Sequence, residues 1–281
     1  MTSDLRSHLS WTLLARLNLS DMGSTEQARA LVNGQPDGSR YLKPYETYWL
    51  PGDLTEVYTR SELWAVHVSH LLSAAEADRL ISLADDHAEL HGWTTSRHQH
   101  YPTTDFPVND SSTLSLRLNP VIESVVLPTI ALLYGFDRNE LSIRDLFMVK
   151  YEAAGLSMSS TAQNKLENHR DGSLLSFNIL LSDPKADFQG GGTRFASLGP
   201  PCLHCKGDKQ ALENCTACGG TGRDAIQPVK RGDLTVHCGK LLHSGAPIER
   251  NDVTRRGKRY LVVGFVDVSS DRVDGNMIES D

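Results

Sequence analysis

Three side chains in this sequence have the types and spacing to hold a metal on one face. His169 and Asp171 flank Arg170 just before a strand-like run. In an extended segment, residues two apart point to the same side, so both can reach one ion. His243, in Leu241-Leu242-His243-Ser244-Gly245, is the best candidate for a second imidazole from a distant strand. Two imidazoles and one carboxylate on one face leave three coordination positions open. Fe(II) sites that take up a chelating co-substrate and O₂ need that geometry.

A second group of ligating residues lies between Asp171 and His243. Cys202-x-x-Cys205 and Cys215-x-x-Cys218 have the spacing of a tetrahedral Zn(II) site, two thiolates from each knuckle. A pair of disulfides would use the same residues, and His204 could replace one cysteine. Cys215-Thr-Ala-Cys218-Gly-Gly220-Thr-Gly222 resembles the Cys-x-x-Cys-x-Gly-x-Gly repeat of DnaJ-type zinc fingers, with Cys202–Gly207 a partial copy. Four of the five cysteines fall in this window, which suits a metal in a reducing compartment better than a spread of disulfides. Cys238 stands apart and reads as a thiol in a strand core.

The segments around the first three residues carry a wider pattern. In order they are Phe147-Met148-Val149-Lys150-Tyr151, His169-Arg170-Asp171, Phe177-Asn178-Ile179-Leu180-Leu181, and Phe188-Gln189-Gly190-Gly191-Gly192-Thr193-Arg194-Phe195. His243-Ser244-Gly245 and Gly257-Lys258-Arg259-Tyr260 with Val263-Gly264-Phe265 complete the series. Across residues 60–268 this resembles the catalytic domains of prolyl 4-hydroxylases and procollagen lysyl hydroxylases, within the 2-oxoglutarate/Fe(II)-dependent dioxygenases. The triple glycine and the Arg-Tyr strand are most similar to the lysyl hydroxylase form.

The resemblance implies a double-stranded β-helix (jelly-roll) with the metal at its open mouth. It implies that Arg259 binds the distal carboxylate of 2-oxoglutarate and that Tyr151 contacts the same co-substrate; a core tyrosine is the other reading of Tyr151, and Asn178 either faces the co-substrate or finds structural partners. Ascorbate is the implied reductant. A guanidinium suits the Arg259 role because its planar, permanently charged fork matches a carboxylate. Lys258, its strand neighbour, should face the opposite way. One departure is the gap of sixteen positions from His243 to Arg259, longer than usual in that family, which marks Glu249–Thr254 as an inserted loop. Segments similar to Arg97–Asp105 border the substrate entrance in the family. The letters His-Arg-Asp also open the kinase catalytic loop, but Ser176 stands where that loop needs Asn and no glycine-rich phosphate loop precedes it.

The cysteine cluster looks like an insertion in this framework. Asp171 and His243 are 72 positions apart, and removing Pro200–Arg223 leaves 48. It reads first as a stapled loop, with recognition of substrate or partner as the alternative.

The elements that must position these residues follow from composition and periodicity. The expected fold class is α+β, mainly β, with supporting helices before the barrel and a small zinc-finger insertion. Residues 1–60 read as an extension, 61–268 as the oxygenase domain with 200–223 inserted in it, and 269–281 as a tail. Leu5, Leu9, Leu13 and Leu17 suggest an amphipathic helix rather than a secretory signal. Trp64–Val68 reads as a first strand. Ser73-Ala74-Ala75-Glu76 opens a helix with the stripe Ala77, Leu80, Ile81, Ala84. A second helix is expected from near Pro120, carrying Val121, Ile122, Val125 and Val126 and ending before Gly135. Residues 145–151, 174–181, 193–196, 233–238 and 259–268 read as strands, and Gly190–Gly192 as a tight turn.

A formal net charge of −7 argues against broad binding to nucleic acid or anionic membranes, and no apolar run stands out as a bilayer span. The lack of a secretory signal pattern, together with the clustered, reduced cysteines, points to cytosol or nucleus. The expected activity is hydroxylation of a prolyl or lysyl residue in a protein or peptide, or of a free amino acid or other small molecule. The alternative from another class is an interaction module on an inactive barrel, with the finger as its working part.

Overall fold

Apolar and β-branched residues alternate along the second half of the chain, and this is where the long strands form. A computed structural model describes residues 41–42, 65–68, 71–98, 100–134, 136–155, 163–195, 205, 215, 226–227, 230–239 and 241–268. In chain order come β1 (Tyr41–Leu42), β2 (Ala65–Val68), α1 (Ala74–His91), β3 (Asp105–Pro107), α2 (Ser112–Val121), a π-helical turn at Ile122–Val126 and α3 (Leu127–Tyr134). Then follow β4 (Leu141–Glu152), β5 (Leu166–His169), β6 (Leu175–Leu180), β7 (Gln189–Gly190), β8 (Thr193–Phe195) and β9 (Ile226–Gln227). The last strands are β10 (Leu234–Cys238), β11 (His243–Gly245), β12 (Ile248–Glu249) and β13 (Lys258–Val268).

A seven-stranded sheet runs β1-β2-β10-β6-β13-β4-β3, and a four-stranded sheet runs β5-β11-β8-β9. From β4 onward the chain passes repeatedly between the two sheets, and every pairing is antiparallel. That is jelly-roll topology, as expected. The short pair β12-β7 closes the triple-glycine end. There Gly191 has φ +73°, and a Cβ would stand 2.8 Å from the Phe188 ring, so a side chain is excluded twice over.

Period-2 alternation divides the large sheet between two apolar clusters. From β13, Tyr260, Val262 and Val266 pack with the helices, together with Leu80, Leu118, Ile130 and Phe136. Leu261 turns the other way, with Phe147, Val149 and Tyr151 of β4, and forms a second cluster between the sheets. Helices thus cover one face, leaving the other face to line a cavity.

α1 begins as expected: the Ser73 hydroxyl accepts from the Glu76 amide, and Ala77, Leu80 and Ala84 are buried. The second helix does not begin near Pro120. It begins at Ser112, where the Ser111 hydroxyl caps the Leu114 amide, and Pro120 lies inside it. The carbonyl that Pro120 leaves without a donor is that of Leu116, whose side chain is 78% exposed, and the π-helical turn follows at once. The run Ser112–Tyr134 is 23 residues long and, by length and composition, apolar enough to cross a membrane, which the sequence reading did not anticipate. Here all eight residues of α3 are buried against the sheet and its neighbours.

Strand bounds fall within a few residues of expectation, with β4 starting earlier at Leu141. Tyr41–Leu42, expected in an extension, pair with β2 in the large sheet. The rest of that extension, the Leu5–Leu17 pattern, the tail, and Cys202 and Cys218 lie outside the described residues.

Candidate metal and co-substrate site

β5 and β11 are neighbours in the small sheet, and their register sets His169 directly opposite His243. Asp171 follows β5 by two residues, and its amide donates to the Gly239 carbonyl at 2.7 Å. This bond turns the chain back so that the carboxylate faces both rings. The ligand atoms of His169, Asp171 and His243 lie within 4.8 Å of one another, and all three residues are at most 8% exposed. Each imidazole donates through Nδ1, His169 to the Glu167 carbonyl at 2.7 Å and His243 to the Leu241 carbonyl at 2.9 Å. That tautomer leaves both Nε2 lone pairs facing the carboxylate, at 3.5 and 3.6 Å from its oxygens.

The electrostatics suit a cation. Burial lowers the His243 pKa to about 3, keeping the ring neutral, although Asp171 pulls the other way. Burial opposes ionisation of Asp171, but the adjacent imidazoles, His243 foremost and then His169, outweigh it and hold the carboxyl well below the usual carboxylate range. A neutral–neutral–anionic donor set with open space beside it fits a divalent ion of the Fe(II) type.

Arg259 and Tyr151 form one end of the cavity. β13 and β4 pair them in register, and the guanidinium carbon lies 5.3 Å from the tyrosine ring centroid. Arg259 is 2% exposed, its Nε has no hydrogen-bond partner, and among the described residues no carboxylate pairs with it. Burial pushes both pKa values away from the charged forms, lowering that of Arg259 and raising that of Tyr151. Lys258 is exposed, as alternation requires. A Cβ on Gly245 would lie 2.8 Å from the Tyr151 hydroxyl, so the glycine lets the ligand-bearing strand approach this end closely. Asn178 also lines the cavity; its Nδ2 donates to the Thr193 hydroxyl at 3.3 Å, and its Oδ1 is buried without a partner.

The opposite end is aromatic. Phe147, Val263 and Phe265 line it from the large sheet, with His98 and Tyr101 from the loop expected to border an entrance. The Tyr101 ring lies 5.1 Å from that of His169 and is 41% exposed.

The structure thus brings His169, Asp171, His243, Arg259, Tyr151 and Asn178 to one cavity. Of the four clustered cysteines it describes two, Cys205 buried and Cys215 half-buried. Cys238 is fully buried on β10, as expected. Sequence reasoning missed His237, a buried ring 4.3 Å from His243 that also lines the cavity. Its Nδ1 donates to the Cys238 carbonyl at 3.0 Å, and burial lowers its pKa. The available signal was alternation along Leu234–Cys238, which sets His237 on the same face as Thr235. Arg97, bound to both Asp105 and Asp145, was missed as well.

No family model matches the chain. Its sequence is similar to human procollagen-lysine,2-oxoglutarate 5-dioxygenase 2, 26% identical over 172 residues, which are 60% of this chain and 18% of that protein. It is also similar to human procollagen-lysine,2-oxoglutarate 5-dioxygenase 1, 23% identical over 257 residues, 80% of this chain and 30% of that protein. The chain therefore spans less than a third of the length of these relatives. Among solved structures it resembles the non-heme alpha ketoglutarate dependent epimerase SnoN from nogalamycin biosynthesis, at 16% identity and TM-score 0.48, over 78% of this chain and 86% of that one. Both human relatives are, by name, 2-oxoglutarate dioxygenases.

Proposed function

We propose that the chain is an Fe(II)- and 2-oxoglutarate-dependent dioxygenase that hydroxylates a C–H bond on a prolyl or lysyl residue of a protein. The observation that carries this reading is Arg259, a buried cation with no anionic partner among the described residues, in the cavity that also holds the His169–Asp171–His243 cluster. Leaving a buried charge unpaired is costly, and a ligand carboxylate removes that cost. The names of the curated relatives, which include both lysine and 2-oxoglutarate, support the same direction.

In this reading His169 and His243 offer Nε2, and Asp171 one carboxylate oxygen, to iron. Arg259 takes the distal carboxylate of 2-oxoglutarate, with Tyr151 and Asn178 beside it. Iron and 2-oxoglutarate, when bound, would supply oxidation of a C–H bond by O₂, one oxygen atom going to the new hydroxyl and the other to the succinate formed from the 2-oxo acid with release of CO₂. The carbonyls of Glu167 and Leu241 hold the two rings in the ligating tautomer, and the apolar walls keep water from the reacting atoms. Ascorbate serves as reductant. Cys202, Cys205, Cys215 and Cys218 bind one Zn(II) in the inserted finger.

Purified protein given Fe(II), 2-oxoglutarate and ascorbate should release succinate above the level of a His169→Ala control. Asp171→Ala should abolish that release while the far-ultraviolet circular dichroism stays unchanged. Equal succinate from wild type and both variants would refute the reading.

A further inference from the structure

Among the described residues, those that line the aromatic end of the cavity include no carboxylate. Among the described lining residues Asp171 is the sole acid, and it faces the two histidines. Two more aspartates stand close by, and Arg97 occupies both. Its guanidinium donates to Asp105 at 2.8 Å and forks onto Asp145 at 3.0 and 2.8 Å. Asp105 is wholly buried and also accepts from the Thr103 hydroxyl. Each carboxylate thus accepts two of the hydrogen bonds that Arg97 and Thr103 offer.

The same guanidinium lies 5.2 Å from the Phe147 ring centroid, and that of Arg144 lies 5.5 Å from Phe265. The two rings meet edge to face at 5.4 Å, with the His98 ring 5.0 Å from Phe147. Arg144 also donates to the Gly172 carbonyl at 3.1 Å, one residue beyond Asp171, so this aromatic pair abuts the ligand-bearing segment. Arg259 is at the other end: it lies six positions before Phe265 on one strand, about 20 Å of extended chain. The mouth is therefore an aromatic surface edged by two ion-paired guanidinium groups, Arg97 held by Asp105 and Asp145 and Arg144 held by Asp267 at 3.3 Å.

We infer that this mouth selects an uncharged, apolar side chain, and that Arg97 sets the preference by occupying the carboxylates a cationic substrate would need. The inference rests on the reading that the Arg259 end takes 2-oxoglutarate and the aromatic end takes the group to be hydroxylated. A lysyl ammonium entering here gives up its water and meets acids already held in ion pairs, Asp105 and Asp145 with Arg97 and Asp267 with Arg144. A hydrocarbon side chain of the same length gains by covering the rings.

Two blocked tripeptides test this, acetyl-glycyl-norleucyl-glycinamide and its lysyl counterpart, which differ only by the terminal ammonium. Binding to the full chain is followed by ligand-observed NMR. The wild type should bind the norleucyl peptide about ten-fold or more tightly than the lysyl one. Arg97→Gln should bring the two within about three-fold by freeing Asp145. Phe265→Ala, at a half-buried position, should weaken the norleucyl peptide alone by about ten-fold. Lysyl binding equal to or tighter than norleucyl, no binding of either, or a norleucyl affinity unmoved by Phe265→Ala would overturn the inference. Succinate release from the same samples separates it from the catalytic reading. A norleucyl preference without succinate counts against catalysis only, and succinate with a lysyl preference counts against this inference only.

Discussion

Arg259 concentrates the chemistry of one residue in a single test. Its guanidinium is buried beside Tyr151 and lacks an acidic partner among the described residues. Arg259→Ala should raise the concentration of 2-oxoglutarate needed for half-maximal succinate release by roughly 30-fold or more, the equivalent of losing ~2 kcal/mol of ion pairing. An unchanged requirement would mean that another residue holds that carboxylate. A second consequence belongs to His243, whose pKa falls from 6.5 to about 3 on burial. The folded, metal-free protein therefore binds fewer protons than the unfolded chain between these values. The stability tied to the neutral ring is full above pH 6.5 and is lost as pH falls toward about 3. The Tm of metal-free protein should fall over that interval, and His243→Asn should flatten the decline; parallel curves would count against a buried neutral ring.

Sequence spacing exposed His169 and Asp171 because two ligands two apart on one segment need no knowledge of the fold. His243 and Arg259 came from the order of the surrounding strands. His237 stayed hidden, since its place beside His243 depends on β10 and β11 approaching across the two sheets. The Arg97 bridge was equally invisible, because Asp105 and Asp145 meet it only through β3 pairing with β4 and the loop ahead of β3.

At the scale of elements, β13 divides two environments. One face packs with the helices, and the other carries Arg259, Leu261, Val263 and Phe265 along the cavity. Gly264 falls on the helix-facing side, where a Cβ would stand 2.3 Å from two carbons of the Phe177 ring. Gly264→Ala should therefore cost roughly 1–3 kcal/mol through overpacking, read as a lower Tm. An unshifted Tm would show that the ring moves aside freely. Most strands were legible from alternation, because a buried strand face and a polar neighbour repeat every second residue. The start of α2 was not. A proline at the first helical turn is common enough to suggest a boundary at Pro120, yet the Ser111 cap nine residues earlier, with the buried Leu114 and Leu118, sets the true one.

For the whole molecule, the two proposed metals can be separated experimentally. Cys215→Ser should release one equivalent of zinc, measured by inductively coupled plasma mass spectrometry, and leave iron binding intact. Simultaneous loss of both metals would make the finger a support of the barrel. The geometry favours independence. Thr193 pairs with Gln227 and Arg194 with Ile226, so the segment between β8 and β9 leaves and rejoins the small sheet at adjacent points. Phe195, where the described chain leaves β8, pairs with His243 itself. Such a junction behaves as a docking port for a cassette. Whatever is spliced there needs only closely spaced ends, because loop closure becomes costlier only slowly with length. A lineage could thus acquire, exchange or discard an inserted segment at the strand that pairs with His243 without selecting the barrel anew.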